Sequence, residues 1–321
     1  AHTTGLFNAL AVNALNALLG SVEQPGGVFF TPQMNLAAGA KGLAAPVTAS
    51  PSLDRVAAGI LDGSSVPQVL VLDGANPVFT APKGWRVREA LEKVPYIVSF
   101  GSFLDETAAL SDLILPDHSF LEAWSEALPE SGSMVAVASV APAAMMPLYQ
   151  TRATPDVLLD IGRRLAQPLN LPWETFEALL TETFMALPST SDFDAWTDAQ
   201  EKGGWWGTLP AGLTTAASPG AQRQPVAFAE PQFDGDAGQY PLHFLPYASS
   251  AFLDGSLAHL PWLQEMPDPL TSAMWSSWIE INPGTAAQLG VRDGDIVEVA
   301  SAHGTLRTAA IVSPGIAPDL V

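Results

Sequence analysis

The sequence predicts an α/β protein with a parallel-sheet domain followed by a strand-rich domain. Two observations predict it. Between Leu53 and Pro116, short and continuously apolar runs alternate with helical stretches, the pattern of parallel strands covered on both faces. From Tyr240 onward the character turns to β, with four strand-like runs separated by turns. The length of 321 residues is enough for about two domains at roughly 100–200 residues each. The boundary is placed at 239/240, giving domains 1–239 and 240–321.

The elements follow in order. Gly5–Leu19 carries Leu6, Leu10, Val12, Leu15, Leu18 and Leu19 with Ala between them, which predicts a helix. Gly20 closes it as a C-cap would. Asn8, Asn13 and Asn16 read as polar groups on its surface or in its packing. Gln24–Gly27 is a turn, and a Gly/Ala/Pro-rich loop runs from Thr31 to about Pro51. Leu53–Leu61 is a short helix, and Gln68–Leu72 is a buried strand followed by the loop Asp73–Pro77. Trp85–Glu92 is a helix and Tyr96–Phe100 the second buried strand. Glu106–Ser111 is a helical turn, and Leu113–Pro116 is the third strand.

Thr154–Leu165 reads as a helix with Thr154 as N-cap, Pro155 at the first position and Asp156 in the first turn. Residues 166–239 are weakly patterned and form an excursion, helical over Trp173–Leu187 and a long surface loop over Pro210–Gly238. In the last domain the predicted strands are Leu242–Leu245, Trp278–Ile281, Ile296–Ala300 and Thr305–Val312. Gly284–Gly290 is a short helix closed by glycine, and Val291–Asp295 is a turn.

Composition excludes several classes of function. Thirteen Lys and Arg against 33 Asp and Glu give a net charge of −20, which repels nucleic-acid phosphates. Without a single Cys, the chain ligates no iron–sulfur cluster and no thiolate-bound zinc. The five His residues show no metal-ligand spacing, so no metal site is predicted. No run of 18 apolar residues is present, so no membrane span is predicted. The G-x-S-x-G, Walker A and G-x-G-x-x-G patterns are absent.

The candidate site lies beyond the carboxyl ends of the strands, where open parallel sheets bind ligands. Gly74-Ala75-Asn76-Pro77 follows the first strand, where a Gly lets backbone approach a ligand and an Asn can donate to it. An ordinary Asn-Pro turn is the alternative. Asp105-Glu106-Thr107 follows the second strand and equally suits a helix N-terminus, where acids are favoured. Asp117-His118 follows the third, with a structural hydrogen-bonded His as the plainer reading.

The order of these pieces resembles the third domain of the molybdopterin oxidoreductase family of the dimethyl-sulfoxide-reductase type. The residues that carry it are Gly74-Ala75-Asn76-Pro77-Val78, Val98-Ser99-Phe100 with Glu106-Thr107-Ala108, and Ser111–Pro116 with Glu122. Ile281-Asn282-Pro283, Ala286-Ala287, Leu289-Gly290-Val291, Asp293–Val297 and Gly304 resemble the family's last domain. The resemblance covers nearly the whole chain. It implies a Rossmann-like parallel-sheet domain followed by a β-barrel of the double-psi, cofactor-binding type. It also implies Gly74, Asn76, Pro77, Ser99, Glu106 and Thr107 as positions facing a molybdopterin guanine dinucleotide. It assigns no catalytic or metal-ligating residue to this chain. The family's iron–sulfur site and molybdenum ligand would precede Ala1, the barrel would continue past Val321, and both ends read as cuts through a larger protein.

One departure bears on the cofactor. Members with a working cofactor have a T-G-R-like stretch opening the last domain, and here it is Phe244–Ser250, with neither Gly nor Arg. Leu260–Pro269 looks closest to the large periplasmic subunit of alternative complex III and of related quinone reductase complexes, a branch that keeps the fold without molybdenum. The first expectation is therefore a scaffold subunit of a quinol-oxidising electron-transfer complex, with the dinucleotide absent. Its partners would be iron–sulfur, haem c and quinol-binding membrane subunits, at the periplasmic face of the inner membrane. The second is a molybdenum or tungsten oxidoreductase of polysulfide, thiosulfate or formate type. A free-standing binding domain is the third.

Overall fold

The computed structural model describes residues 5–32, 51–129, 131–187, 193–208, 232–253, 255 and 257–321. In chain order the first elements are α1 (Gly5–Leu18), α2 (Leu53–Leu61), β1 (Leu70–Asp73), α3 (Pro77–Thr80), α4 (Val87–Leu91), β2 (Ile97–Phe100) and β3 (Leu113–Ile114). Next come β4 (Ser125–Ala127), β5 (Ala136–Ala141), α5 (Thr154–Arg164), α6 (Phe176–Met185), α7 (Phe193–Lys202) and β6 (Gly204–Gly207). The last stretch holds α8 (Pro261–Gln264), β7 (Trp278–Ile281), α9 (Pro283–Leu289), β8 (Ile296–Ser301) and β9 (Gly304–Val312). Two compact units result, one from residues 13–74 and 91–224, the other from 1–12, 75–90 and 225–321.

The first unit contains the predicted parallel sheet, in the order β1-β2-β3, with Leu70 opposite Ile97 and Val98 opposite Leu113. The central strand β2 is buried at Ile97, Ser99 and Phe100. Its neighbours are not covered on both faces, because Val71, Leu113 and Ile114 are exposed. An apolar run makes burial favourable, but strands of four and two residues offer a covering helix little surface.

The same unit holds a second, antiparallel sheet, β4-β5-β6, over residues that carry no predicted strand. Alternation along β5 buries Ala136, Ala138 and Val140. Against them pack Leu180 and Phe184 of α6, Trp196 of α7 and Trp205 of β6. Trp196 stacks on Trp124 with ring centres 6.1 Å apart, and Phe184 meets it at 5.3 Å. Helix α6 lies inside the predicted Trp173–Leu187, and the Thr175 hydroxyl caps it by accepting from the Ala178 N–H at 3.2 Å. The loop predicted over Pro210–Gly238 lies mostly outside the described residues, as does most of Thr31–Pro51.

Helix α5 starts where predicted, with a different cap. Ala153 is the N-cap, and Thr154 is the first helical residue. The Thr154 N–H is held by the Asp117 carboxylate at 2.9 Å, while the Thr154 hydroxyl is buried with no hydrogen-bond partner among the described residues. An acid from a distant loop has taken the role that sequence spacing gives to the local hydroxyl.

In the other unit, β8 and β9 form an antiparallel hairpin and β7 joins β9 in parallel. Ile279, Ile281, Ala286 and Ala310 make its core. Helix α9 is capped at one end by Asn282, whose side chain accepts from the Gly284 N–H at 2.8 Å. At the other end Gly290 adopts φ +70°, a conformation that carries no Cβ penalty for glycine. Leu242–Leu245 is not a ladder strand, and only a parallel bridge joins His243 to Leu320. Among the described residues the unit's strands form this three-stranded sheet, and no closed barrel is present.

Candidate functional site

Parallel pairing brings the carboxyl ends of β1, β2 and β3 to one edge of the sheet. Strand β1 ends at Asp73, and Gly74 follows with φ +59°. The Gly74 N–H donates to Phe100 O at 3.3 Å. The buried Ser99 accepts at its carbonyl from Leu115 N at 2.9 Å. A Cβ on Gly101 would stand 3.2 Å from the Ser99 hydroxyl, so that glycine keeps the strand end compact. Gly74 and Ser99 therefore share the edge.

After the second strand, the Asp105 carboxylate accepts from the N–H groups of Thr107 and Ala108 at 3.0 and 2.7 Å. This is an N-cap in the ordinary sense. It leaves Glu106 exposed to solvent and Thr107 buried. Asn76 and Pro77 lie in the other compact unit, where they open α3. The Asn76 carbonyl accepts from the Phe79 N–H and from both the N–H and the hydroxyl of Thr80, at 3.0–3.1 Å.

The third strand leads to a polar cluster that its short motif foreshadows only in part. Asp117 accepts from His118 N at 2.7 Å as well as from Thr154 N, and its own carbonyl accepts from the Ser102 hydroxyl at 2.9 Å. His118 Nδ1 lies 2.6 Å from the Thr151 hydroxyl. Glu122, the acid that follows the third strand in the family pattern, is buried. It accepts from the N–H groups of Ser119 and Leu148 at 3.1 and 2.9 Å. Those two N–H groups, Leu148 first, hold its carboxyl below the ordinary glutamate value. At the same edge, partial burial and then the negative charge of Asp117 push the Asp73 carboxyl up. The edge is thus acidic and internally hydrogen-bonded. One partner of each acid, Thr154 N for Asp117 and Leu148 N for Glu122, stands 37 and 26 residues away, a separation that leaves no mark on local pattern.

The other unit has a cleft of about 1260 Å³ over the β7-β9-β8 sheet, with Ile279, Val297, Val299 and Leu306 among its apolar walls. Among the described residues Lys83 is the one Lys or Arg lining it, and Asp234 and Glu298 are its acids. His303 pairs with Asp234 and holds that carboxyl below its usual range. Tyr247, from the stretch that replaces T-G-R, donates to Glu280 Oε1 and accepts from Trp278 Nε1, both at 2.8 Å. Among the described residues no group of three His, Cys, Asp or Glu is placed to hold a metal ion, and no helix is long and apolar enough to cross a membrane.

Comparison with known proteins matches both halves of this architecture. Residues 1–159 match the molybdopterin oxidoreductase family, and residues 264–321 match the molydopterin dinucleotide binding domain. The menaquinone reductase molybdopterin-binding-like subunit of Nitratidesulfovibrio vulgaris is 28% identical over 99% of this chain and 44% of that protein. The thiosulfate reductase molybdopterin-containing subunit PhsA of Salmonella typhimurium is 24% identical over 95% of this chain and 48% of its own length. The chain thus spans about half the length of these curated relatives. The solved acetylene hydratase of Pelobacter acetylenicus superposes with a TM-score of 0.59 at 15% identity, over 84% of this chain and 38% of that one, a likeness of fold. The α/β sheet falls within the match to the molybdopterin oxidoreductase family and the C-terminal β-α-β unit within the match to the molydopterin dinucleotide binding domain, so the chain resembles both in the expected order.

Proposed function

We propose that the chain is part of a molybdopterin-oxidoreductase-like subunit of a respiratory or photosynthetic quinol-oxidising complex of the alternative complex III type. In it the chain serves as scaffold, without a molybdenum site of its own. The observation that carries this reading is the state of the donors at the sheet edge. A guanine dinucleotide cofactor is bound through anionic phosphates, which require free N–H groups, Arg or Lys. Here the N–H groups of Thr107 and Ala108 are held by Asp105. Asp73 and Asp117 stand at the same edge, and no Lys or Arg occurs between Lys93 and Arg152. Arg152 itself pairs with Asp160 at 3.2 Å. These residues do not fit an anionic cofactor.

The name of the 28% identical relative, a molybdopterin-binding-like subunit, supports the reading. The same proposal takes residues 240–321 as a barrel-type domain. Its support is the parallel β7–β9 pairing beside the β8–β9 hairpin, and the parallel bridge from His243 to Leu320. Iron–sulfur, haem c and quinol-binding membrane subunits would be the partners, with the chain a peripheral subunit at the periplasmic face of the inner membrane.

A second reading, a catalytic molybdenum or tungsten subunit, has support in the relatives named as molybdopterin-containing arsenate and thiosulfate reductase subunits. Metal analysis of the intact complex separates the two. The scaffold reading expects neither molybdenum nor tungsten, and one metal atom per subunit overturns it.

A further inference from the structure

The unit built from residues 13–74 and 91–224 presents an apolar patch made of two loop segments. Phe120 and Leu121 come from one, and Met145, Met146, Leu148 and Tyr149 from the other. Phe120, Met146 and Tyr149 are 83%, 82% and 81% exposed. Scattered apolar residues on a surface are ordinary, but these are fastened together. The N–H groups of Ala144 and Met145 both donate to Leu121 O, at 2.8 and 3.0 Å. Between the segments the buried Glu122 accepts from Leu148 N on one side and Ser119 N on the other. A buried carboxylate spent on holding an exposed apolar loop in place is what a docking surface requires, since ordering the loop beforehand lowers the entropy lost on binding. Methionine and aromatic side chains are also the types enriched in interface cores.

The charge of the sequence that carries the patch narrows the occupant. From Val94 to Thr151 there is no Lys or Arg, while Asp105, Glu106, Asp112, Asp117, Glu122, Glu126 and Glu130 make seven acids. The six patch residues themselves carry no charge. A second copy would bring a net charge of −20 against −20, and anionic lipid would be repelled in the same way. A surface that is apolar at its centre and basic at its rim meets both features.

We propose that Phe120, Leu121, Met145, Met146, Leu148 and Tyr149 form the seat of a partner subunit whose contact face is apolar and ringed by Lys and Arg. This rests on the reading of the chain as a subunit of a larger complex. The test uses the full-length protein in its complex, with a photo-crosslinking amino acid in place of Tyr149. The expected product joins Tyr149 to a different polypeptide, stoichiometric in the purified complex, through an apolar peptide flanked by Lys or Arg. Phe120→Glu with Tyr149→Glu should lower retention of that polypeptide about tenfold or more, with the loss deepening as salt rises. Leu165→Glu, a change at an exposed residue of the same unit outside the patch, should leave retention unchanged. Crosslinks within the same polypeptide, to a second copy, to lipid or to nothing overturn the proposal. A protein that purifies without any partner subunit overturns the functional reading as well. An intact complex in which Tyr149 crosslinks elsewhere overturns only the docking surface.

Discussion

Asp117 holds two backbone N–H groups at once, those of His118 and Thr154, and so joins the end of the parallel sheet to the start of α5. Replacing Asp117 with Ala frees the N-terminal N–H of that helix and should cost about 1–2 kcal/mol, read as a lowered midpoint in urea unfolding. Asp73 bears the opposite kind of interaction. Its carboxyl is pushed up by burial and by Asp117, so the folded state binds that proton more tightly than the unfolded chain. The charged form therefore subtracts stability above the raised pKa, and the deficit disappears as pH falls to the unfolded value of about 3.9. Asp73→Asn should stabilise at pH 7, with a gain that shrinks toward pH 4. Unfolding curves showing a gain independent of pH would sink that account. At this scale the sequence marks the loops after each strand but not the hydrogen bonds their residues make. Asp105 is legible as a helix-start acid because its targets are two and three residues on, whereas Asp117 reaches across 37 residues.

Elements with local stop signals were the readable ones. Helix α2 coincides with the predicted Leu53–Leu61, and α9 is bracketed by Asn282 and Gly290 as its caps imply. The antiparallel sheet was missed because β4 and β6 have three and four residues, too few for a period to show. The alternation of β5 is written in Ala, Ser and Val, a weak contrast between faces. Its join to β6 relies on glycine. Gly204 has φ +155°, and a Cβ there would fall 2.5 Å from Ala138 O, a backbone atom that cannot swing away. Gly204→Ala should therefore force β5 and β6 apart and cost about 2–3 kcal/mol. Gly290→Ala, with φ +70° and open space around it, should cost only the left-handed strain of about 1–2 kcal/mol. Urea midpoints for the pair test the ranking, and a larger loss at Gly290 would show that β6 pairs differently.

At the scale of the molecule, the order of motifs was legible because each is a short string with its own turn chemistry. Barrel closure was not, because it depends on which strands meet rather than on any one of them. The described surfaces carry the consequence. Helix α1 is formed as its Ala and Leu content implies, yet none of its residues is buried and Leu18 is 84% exposed. An exposed helix this rich in Leu and Ala gains stability when something covers it. Among the described residues the β7-β9-β8 sheet has no ladder partner on the outer edges of β7 and β8, and the exposed Ile296 and Leu306 add apolar surface. Unpaired edges beside apolar surface favour association between chains. The net charge of −20 opposes this at low salt, and screening removes that protection as the Debye length falls from about 30 Å at 0.01 M to about 8 Å at 0.15 M. Residues 1–321 expressed alone should accordingly bind a hydrophobic dye and self-associate increasingly as salt rises, as followed by light scattering. A monomer that stays dispersed at high salt and unfolds in one cooperative transition would mean that α1 and the open sheet are self-sufficient, contrary to the exposure found here.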